Sequence, residues 1–562
     1  MKLHLPFALL ATMVSAVAYA DNSGVSFNTT EGGNANVTIS ADAGDLSDYY
    51  MYGTLYGNPC APGIIGAASV CDQDGNAPIE KFQSATITMN GGTNLGTLSG
   101  YGVQGNAVAG DTTINMNGGS TKLIVGGTAY SSSANRPSTQ YGTTPEGGHV
   151  TNFTYKSNYG NESDPNAPKQ NININVTGGT VGQIRGTHSG HSQVHLYTAD
   201  GYIKKVHAGG EEAIAKFMES NPVAVSGNVN ISVTGGEITS TYADKDETAA
   251  IQGGGGSGYS VDGTVGITVG GDAKITGNII AGSSNSYTFV GGTKIDIQGG
   301  EITGNIYGGG DNSAPKITGG LAATVKGDTN VSISGGTITG NVYGAGMSDV
   351  VKGNTNVTVS GGTITGTVYG GGTDGSVVEG TKSLTVTTGY TGALSIADFD
   401  AVTIENGTKI ELESVGSQLA LNDVAFTAYS NQGTEGAIMT LGNGITIDSL
   451  EFVVVITNED LVYGNTFTLN LLELIDGTNP TESMSILDLG VATADESGLD
   501  YTLTFVDENG RELGLKDSDY NMTVTTNGNT TSYQVSVTIP EPTTATLSLL
   551  ALAGLAARRR RK

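Results

Sequence analysis

Asn356-VTVSGGTITGTVYGGG-Thr373 is the stretch that decides the fold. Val357 and Val359 alternate with Thr358 and Ser360, the period-two pattern of a strand with one covered face. Gly361-Gly362 follows, and glycine tolerates the positive φ that a sharp corner needs. Thr363-Ile364-Thr365 resumes the alternation and Gly366 breaks it again. Val368-Tyr369 makes a third short strand before the glycines at 370–372. Strand, corner, strand, corner, strand is one turn of a coil.

The same text stands at Lys294-IDIQGGEITGNIYGGG-Asp311 and Asn330-VSISGGTITGNVYGAG-Met347. Looser copies occupy 87–93, 114–120, 174–180, 231–237 and 267–272. The second glycine of each pair falls at 92, 119, 179, 236, 271, 300, 336 and 362, with spacings of 27, 60, 57, 35, 29, 36 and 26. A turn of about 26–29 residues, sometimes lengthened by insertions and twice doubled, accounts for them. A repeat of this period signals a stacked architecture.

The fold class expected is therefore all-β: a right-handed parallel β-solenoid (β-helix) over 21–447, with about 26–29 residues per coil. Coils would stack about 4.8 Å apart and form interior ladders of Val, Ile and Tyr. After Tyr390 the repeat decays, and degenerate coils are expected to end near Ile447. Longer strands then appear at 452–456, 467–475, 501–506 and 522–526, and Asn509-Gly510 and Asn527-Gly528 are hairpin signals. Residues 450–539 are expected to form a small antiparallel β domain capping the solenoid, because open strand edges invite self-association. The glycine-cornered repeat resembles the passenger domains of autotransporter adhesins over about 30–445. It departs from them in having no run of long amphipathic strands for an outer-membrane barrel.

Composition narrows the function classes. Glycine supplies 87 of 562 residues, charged residues are 14%, Trp is absent and the net charge is -28. So acidic a surface repels nucleic acid and anionic membranes, which excludes nucleic acid as a partner. No dinucleotide fingerprint, P-loop or nucleophile elbow is present, and no cofactor is implied. Glycan-cleaving β-helices need two carboxylates at a set separation. Here Asp272, Asp296, Glu301, Asp311 and Asp328 do not recur at one repeat position. Arginine before residue 510 is limited to Arg136 and Arg185, which disfavours an anionic substrate.

Tyr307, Tyr343 and Tyr369 share one repeat position, read as an aromatic stack in preference to a sugar-binding platform. Asn278, Asn305 and Asn341 share another, read as a turn-capping amide ladder. Specificity in such a scaffold belongs to its insertions, here about 49–77, 127–170 and 186–223. The third carries the one helix signal, 211–220, with Ile214, Phe217 and Met218 on one face. It also carries His188, His191 and His195, spaced for metal ligation but set among Thr, Ser, Gly and Gln. Loop histidines, a zinc or copper site and a catalytic role remain open, with composition favouring the first. Asp72-Gln-Asp74-Gly-Asn76 is a partial calcium-loop signal that departs from the EF-hand pattern at the sixth and twelfth positions, held by Ala77 and Gln83, and leaves calcium a minor alternative. Cys60 and Cys71 stand in the first insertion and are expected to pair in an oxidising compartment.

Both ends read as addresses. Lys2, the apolar 5–17 and Ala18-Tyr19-Ala20 fit a signal peptide over 1–20, cut before Asp21. At the other end stand Pro540-Glu541-Pro542, an apolar run at 543–557 and a basic stop of Arg558, Arg559, Arg560, Arg561 and Lys562. The apolar run would be roughly 22 Å long as a helix, short for a membrane span. The cations hold the end on the cytoplasmic side. These blocks, 540–562, resemble the sorting signal of PEP-CTERM proteins. That resemblance implies signal peptidase and an exosortase-type enzyme as processing partners, and transient inner-membrane insertion. It also implies delivery to the cell envelope, outer surface or extracellular matrix of a Gram-negative-type bacterium. The expectation is an exported structural or adhesin-like protein without enzymatic activity, with an extracellular polysaccharide or host glycan as partner. The alternatives are a β-helix polysaccharide lyase or glycoside hydrolase, and a non-catalytic glycan-binding protein.

Overall fold

Alternation of buried and half-exposed positions along Ser84–Met89, Thr112–Met116 and Ile172–Val176 selects strands that cover one face only. The computed structural model describes 24–46, 84–126, 171–187, 223–475 and 500–540, some with short gaps, together with Ile64–Ile65. The described residues are nearly all β, in a large, mostly parallel sheet, with one 3-10 turn at Ser430–Gln432 and no α-helix. Two compact units divide the chain, Met1–Lys382 and Ser383–Lys562. The division falls earlier than the change in strand length at Leu450.

In the first unit, nine strands pair side by side, in parallel and in register. They begin at Asn34–Ile39 and Ser84–Met89 and end in Thr329–Ile338 and Thr355–Ile364. One register position runs Val37, Ile87, Ile114, Ile174, Ile231, Ile267, Ile295, Val331, Val357, and each of these is at most 2% exposed. Burying one such side chain contributes about 1.5–3 kcal/mol. A second row stacks Val181, Ile238, Ile275, Ile302, Ile338 and Ile364. A third row pairs Ile64 in register with Leu98 and stacks Leu98, Ile124, Ile184, Ile251, Ile279, Ile306, Val342 and Val368. Ile64–Ile65 of that row lies within the segment read from sequence as the first insertion. From residue 223 onward a fourth row appears, Val225, Val261, Val290, Val325, Val351 and Val378.

The corners need their glycines. All eight second glycines of the repeated pairs have positive φ, between 56° at Gly271 and 90° at Gly92. At Gly336 a Cβ would also lie 2.8 Å from the Gly299 carbonyl oxygen and 2.9 Å from the Gly300 oxygen of the neighbouring repeat. Backbone conformation and close stacking therefore both demand glycine there.

Register also corrects the spacing argument. Ile172–Val176 pairs directly with Thr112–Met116 on one side and with Val229–Val233 on the other. The 60- and 57-residue steps are single repeats carrying long insertions, not doubled turns. Sequence spacing counts residues and cannot tell an inserted loop from an extra turn; the pairing can.

Inside the first unit, buried threonines bond across the repeat. Thr293, Thr329 and Thr355 donate to the carbonyl oxygens of Gly308, Gly344 and Gly370, at 2.6, 2.5 and 2.6 Å. Each reaches 15 residues along the chain, from the start of the first row to the glycine corner after the third. Before the first parallel strand, Val25–Thr29 pairs antiparallel with Asn34–Ile39, so that edge is covered.

In the second unit, parallel pairing continues through Ile410–Ser414, Met439–Leu441 and Thr466–Ile475. Val424–Tyr429, Ser449–Ile456 and Asp500–Asp507 also pair in parallel. This departs from the antiparallel pairing expected throughout 450–539. Among the described strands of this unit, antiparallel pairing joins Thr466–Ile475, Thr530–Thr538 and Tyr520–Asn527, the last two turning at Gly528. Asn509-Gly510 does turn the chain, with Gly510 N–H donating to Asp507, but back onto the end of its own strand through a Val506–Glu512 bridge.

Candidate functional site

The third row of the first unit carries the most concentrated polar chemistry. Its second register position runs Ile280, Tyr307, Tyr343, Tyr369. Adjacent rings stack 4.8 and 4.7 Å apart, tilted by 3° and 12°. In-register parallel strands fix that separation, so identical side chains must stack face to face. Tyr307 and Tyr343 are buried against Ala249, Ile280 and Met347, with Tyr369 packed on the cluster. Burial pushes the Tyr307 phenol up to about 12 and raises that of Tyr343. The rings form a structural stack, with little face left for a sugar.

Asparagines run beside the rings. The Asn305 backbone N–H donates to Asn278 Oδ1 at 2.9 Å, Asn341 N–H to Asn305 Oδ1 at 2.8 Å, and Thr367 N–H to Asn341 Oδ1 at 2.9 Å. The amide nitrogens of Asn305 and Asn341 also donate to the hydroxyls of Tyr307 and Tyr343. The ladder read from sequence thus caps the turn and orders the tyrosines together. A similar chain links Asp111, Asn171, Asn228 and the Thr264 N–H at 2.8–2.9 Å.

At the adjoining glycine corner sits Asp349, 1% exposed. Its carboxylate accepts from Gly310 N–H at 2.8 Å, Gly346 N–H at 3.1 Å and the Ser376 hydroxyl at 2.5 Å. Those donors belong to three successive repeats. Burial raises its pKa, while the bonds from Ser376, Gly310 and Gly346 pull the other way. Sequence reading missed this residue. Its register position, next to Thr324–Val350–Val377, holds Ala323, Asp349 and Ser376, so nothing recurs to draw notice.

The outward face of the first row is chemically plain. Its two outward register positions on nine strands give eighteen sites, of which fifteen are Asn, Thr or Ser. Amides bond along the stack: Asn230 to Asn173 at 3.0 Å, Asn175 to Asn115 at 2.9 Å, Asn356 to Asn330 at 3.1 Å. Lys294 and Asp296 are the charged members and pair with each other at 2.7 Å.

The acids named from sequence are not gathered. Asp296 shares its register position with Ser332 and Thr358, Glu301 with Lys274 and Thr337, and Asp311 with Met347 and Thr373. Among the described residues no three His, Cys, Asp or Glu side chains converge as metal ligands. His188, His191 and His195, Cys60 and Cys71, the 72–76 acids and the 211–220 helix lie outside the described residues. So do Ala18, Ala20, Asp21, Glu541, Pro542 and the basic stop from Arg558 to Lys562; Pro540 is described and exposed. No protein-family model matches the chain, and comparison with curated proteins and with solved structures found no match.

Proposed function

We propose that the chain is an exported structural or adhesive scaffold of the cell envelope or extracellular matrix, built as a right-handed parallel β-solenoid. One observation carries the reading: side chains that recur at a register position are used in holding neighbouring repeats together. Isoleucines and valines stack inside, tyrosines stack on tyrosines, asparagines cap the next repeat, and threonines at 293, 329 and 355 bond across each repeat to a corner carbonyl. Those cross-repeat bonds, with parallel pairing at steps of 26 and 36 residues, support a coil that closes on itself before climbing to the next. A right-handed path follows from the preference of parallel crossovers. Stability in such a stack grows with the number of repeats, which suits a load-bearing or display role.

Delivery rests on the terminal addresses. Signal peptidase acts before Asp21, and an exosortase-type enzyme acts at Pro540-Glu541-Pro542 while 543–557 sits transiently in the inner membrane. Cell fractionation of a producing strain, with and without 540–562, tests this. Envelope retention is expected to fall sharply in the truncated form, and equal retention in both would remove the sorting reading. Incubating the protein with a polysaccharide panel tests the scaffold role against an enzymatic one. New reducing or unsaturated ends would replace the scaffold with a lyase or hydrolase.

A further inference from the structure

We propose that the outward face of the first row is a docking strip for an uncharged, extended polysaccharide. The inference rests on the scaffold reading and names the partner of that scaffold. The chain carries a net charge of -28, yet this strip carries none: its Lys294 and Asp296 neutralise each other. Neighbouring rows differ, with Glu237, Lys274 and Glu301 in register on the second and Lys352 paired to Glu379 after the fourth. A face cleared of charge in an acidic protein offers nothing to an ionic polymer. An uncharged polymer needs no counter-charge, and covering this face desolvates no unpaired ion.

The strip instead offers amides and hydroxyls at fixed intervals. Nine strands about 4.8 Å apart span about 38 Å, with two lines of side chains roughly 6.8 Å apart. Each ladder bond between amides, such as Asn230 to Asn173, takes one N–H and one acceptor site. A primary amide has two N–H donors and a carbonyl oxygen with two lone pairs. The stack therefore aligns its amides and still presents hydrogen-bonding capacity outward, already ordered before a ligand arrives.

Chemistry selects the occupant. Protein interfaces are about 56–58% non-polar, and burying this strip against a second copy would desolvate amides with no apolar gain. A polyhydroxylated polymer exchanges hydrogen bond for hydrogen bond. Its own repeat lets weak contacts add along the strip.

The full-length protein is tested for retention on cellulose, with alginate as the anionic comparator. Retention on cellulose is expected, nearly unchanged between about 50 and 500 mM salt because no charge pair is involved. Thr86→Lys, Ser232→Lys and Ser332→Lys together place charge on three separated strands of the strip and should weaken retention at least about tenfold. Thr180→Lys, Thr276→Lys and Thr337→Lys together, exposed positions of the second row, should leave it unchanged. Should the first set fail to fold, the isosteric set Thr86→Val, Thr113→Val and Thr268→Val removes hydroxyls while keeping β-propensity, and a clear loss of retention is again expected. The proposal is overturned if the folded wild-type protein is not retained, if both lysine sets lose retention equally, or if only alginate binds. It is also overturned if the strip variants convert a wild-type dimer to monomer without changing retention. Failure of the scaffold reading would look different: the wild-type protein would lack parallel-β structure or release sugar ends, whatever happened on cellulose.

Discussion

Gly336 shows how tightly a single residue is specified. Its φ is +81°, and the backbone of Gly299 and Gly300 occupies the space where a Cβ would go. Gly336→Ala should therefore cost about 1–3 kcal/mol, read as a lower midpoint in denaturant titration. An unchanged midpoint would mean the corner is not held as described. Asp349 makes a pH-dependent case. Its native pKa lies above the ordinary 3.8, so the fold favours its protonated form. That contribution is complete below 3.8 and is lost as pH rises through the raised native value. Comparing unfolding free energies of wild type and Asp349→Asn, the balance should move toward wild type as pH falls from neutrality. A difference that stays flat with pH would show that Asp349 titrates normally. The glycine was legible in sequence because a corner recurs in every repeat. The aspartate was not, because it stands between an alanine and a serine in its ladder.

Elements tell the same story at the next scale. Strand alternation and glycine pairs predicted the first three rows of strands, since each signal is local. The fourth row was not legible because Thr324–Val325, Val350–Val351 and Val377–Val378 are two-residue strands lying outside the repeated glycine-cornered text, with no recurring motif around them to mark a strand. The parallel pairing of Ser449–Ile456 with Asp500–Asp507 was equally hidden, because strand direction depends on the partner and not on the strand's own text. Direct pairing of Thr112–Met116 with Ile172–Val176 makes the insertion at 127–170 separable from the stack. Replacing it with a ten-residue connector, the length of 345–354 between Gly344 and Thr355, should preserve cooperative unfolding. The thermal midpoint is expected to stay within about 2–4 °C, the shift that corresponds to about 1 kcal/mol in a domain of roughly 150–250 residues or more. Loss of a cooperative transition would show that the segment is part of the stack.

For the first unit as a whole, register is the governing quantity. Thr329 and Thr355 are register partners, 26 residues apart. Deleting 330–355 joins Thr329 to Asn356 in phase, so every following side chain keeps its face. The shortened chain should fold with somewhat reduced stability, by roughly one repeat's share. Deleting 330–354 instead slips the chain by one residue and turns each buried side chain of the joined strand outward. Circular dichroism and proteolysis should find the first variant folded and the second not; equal behaviour would contradict the in-phase stack. The sequence carried this period openly, in three neighbouring copies, but only the pairing shows that it survives the long steps on either side of Ile172–Val176.

The nine-strand row also has a mechanical meaning. Its backbone hydrogen bonds point along the direction of stacking, from one repeat to the next. Tension applied along that direction meets them one repeat at a time, in series and not all together. Release of Thr355–Ile364 from Thr329–Ile338 would free the 26 residues between register partners, about 86–94 Å of extended chain, and the longer steps would free more. A row of this kind, pulled along its stacking direction, would thus yield one repeat at a time, dissipating work at every step while the remaining repeats stay paired.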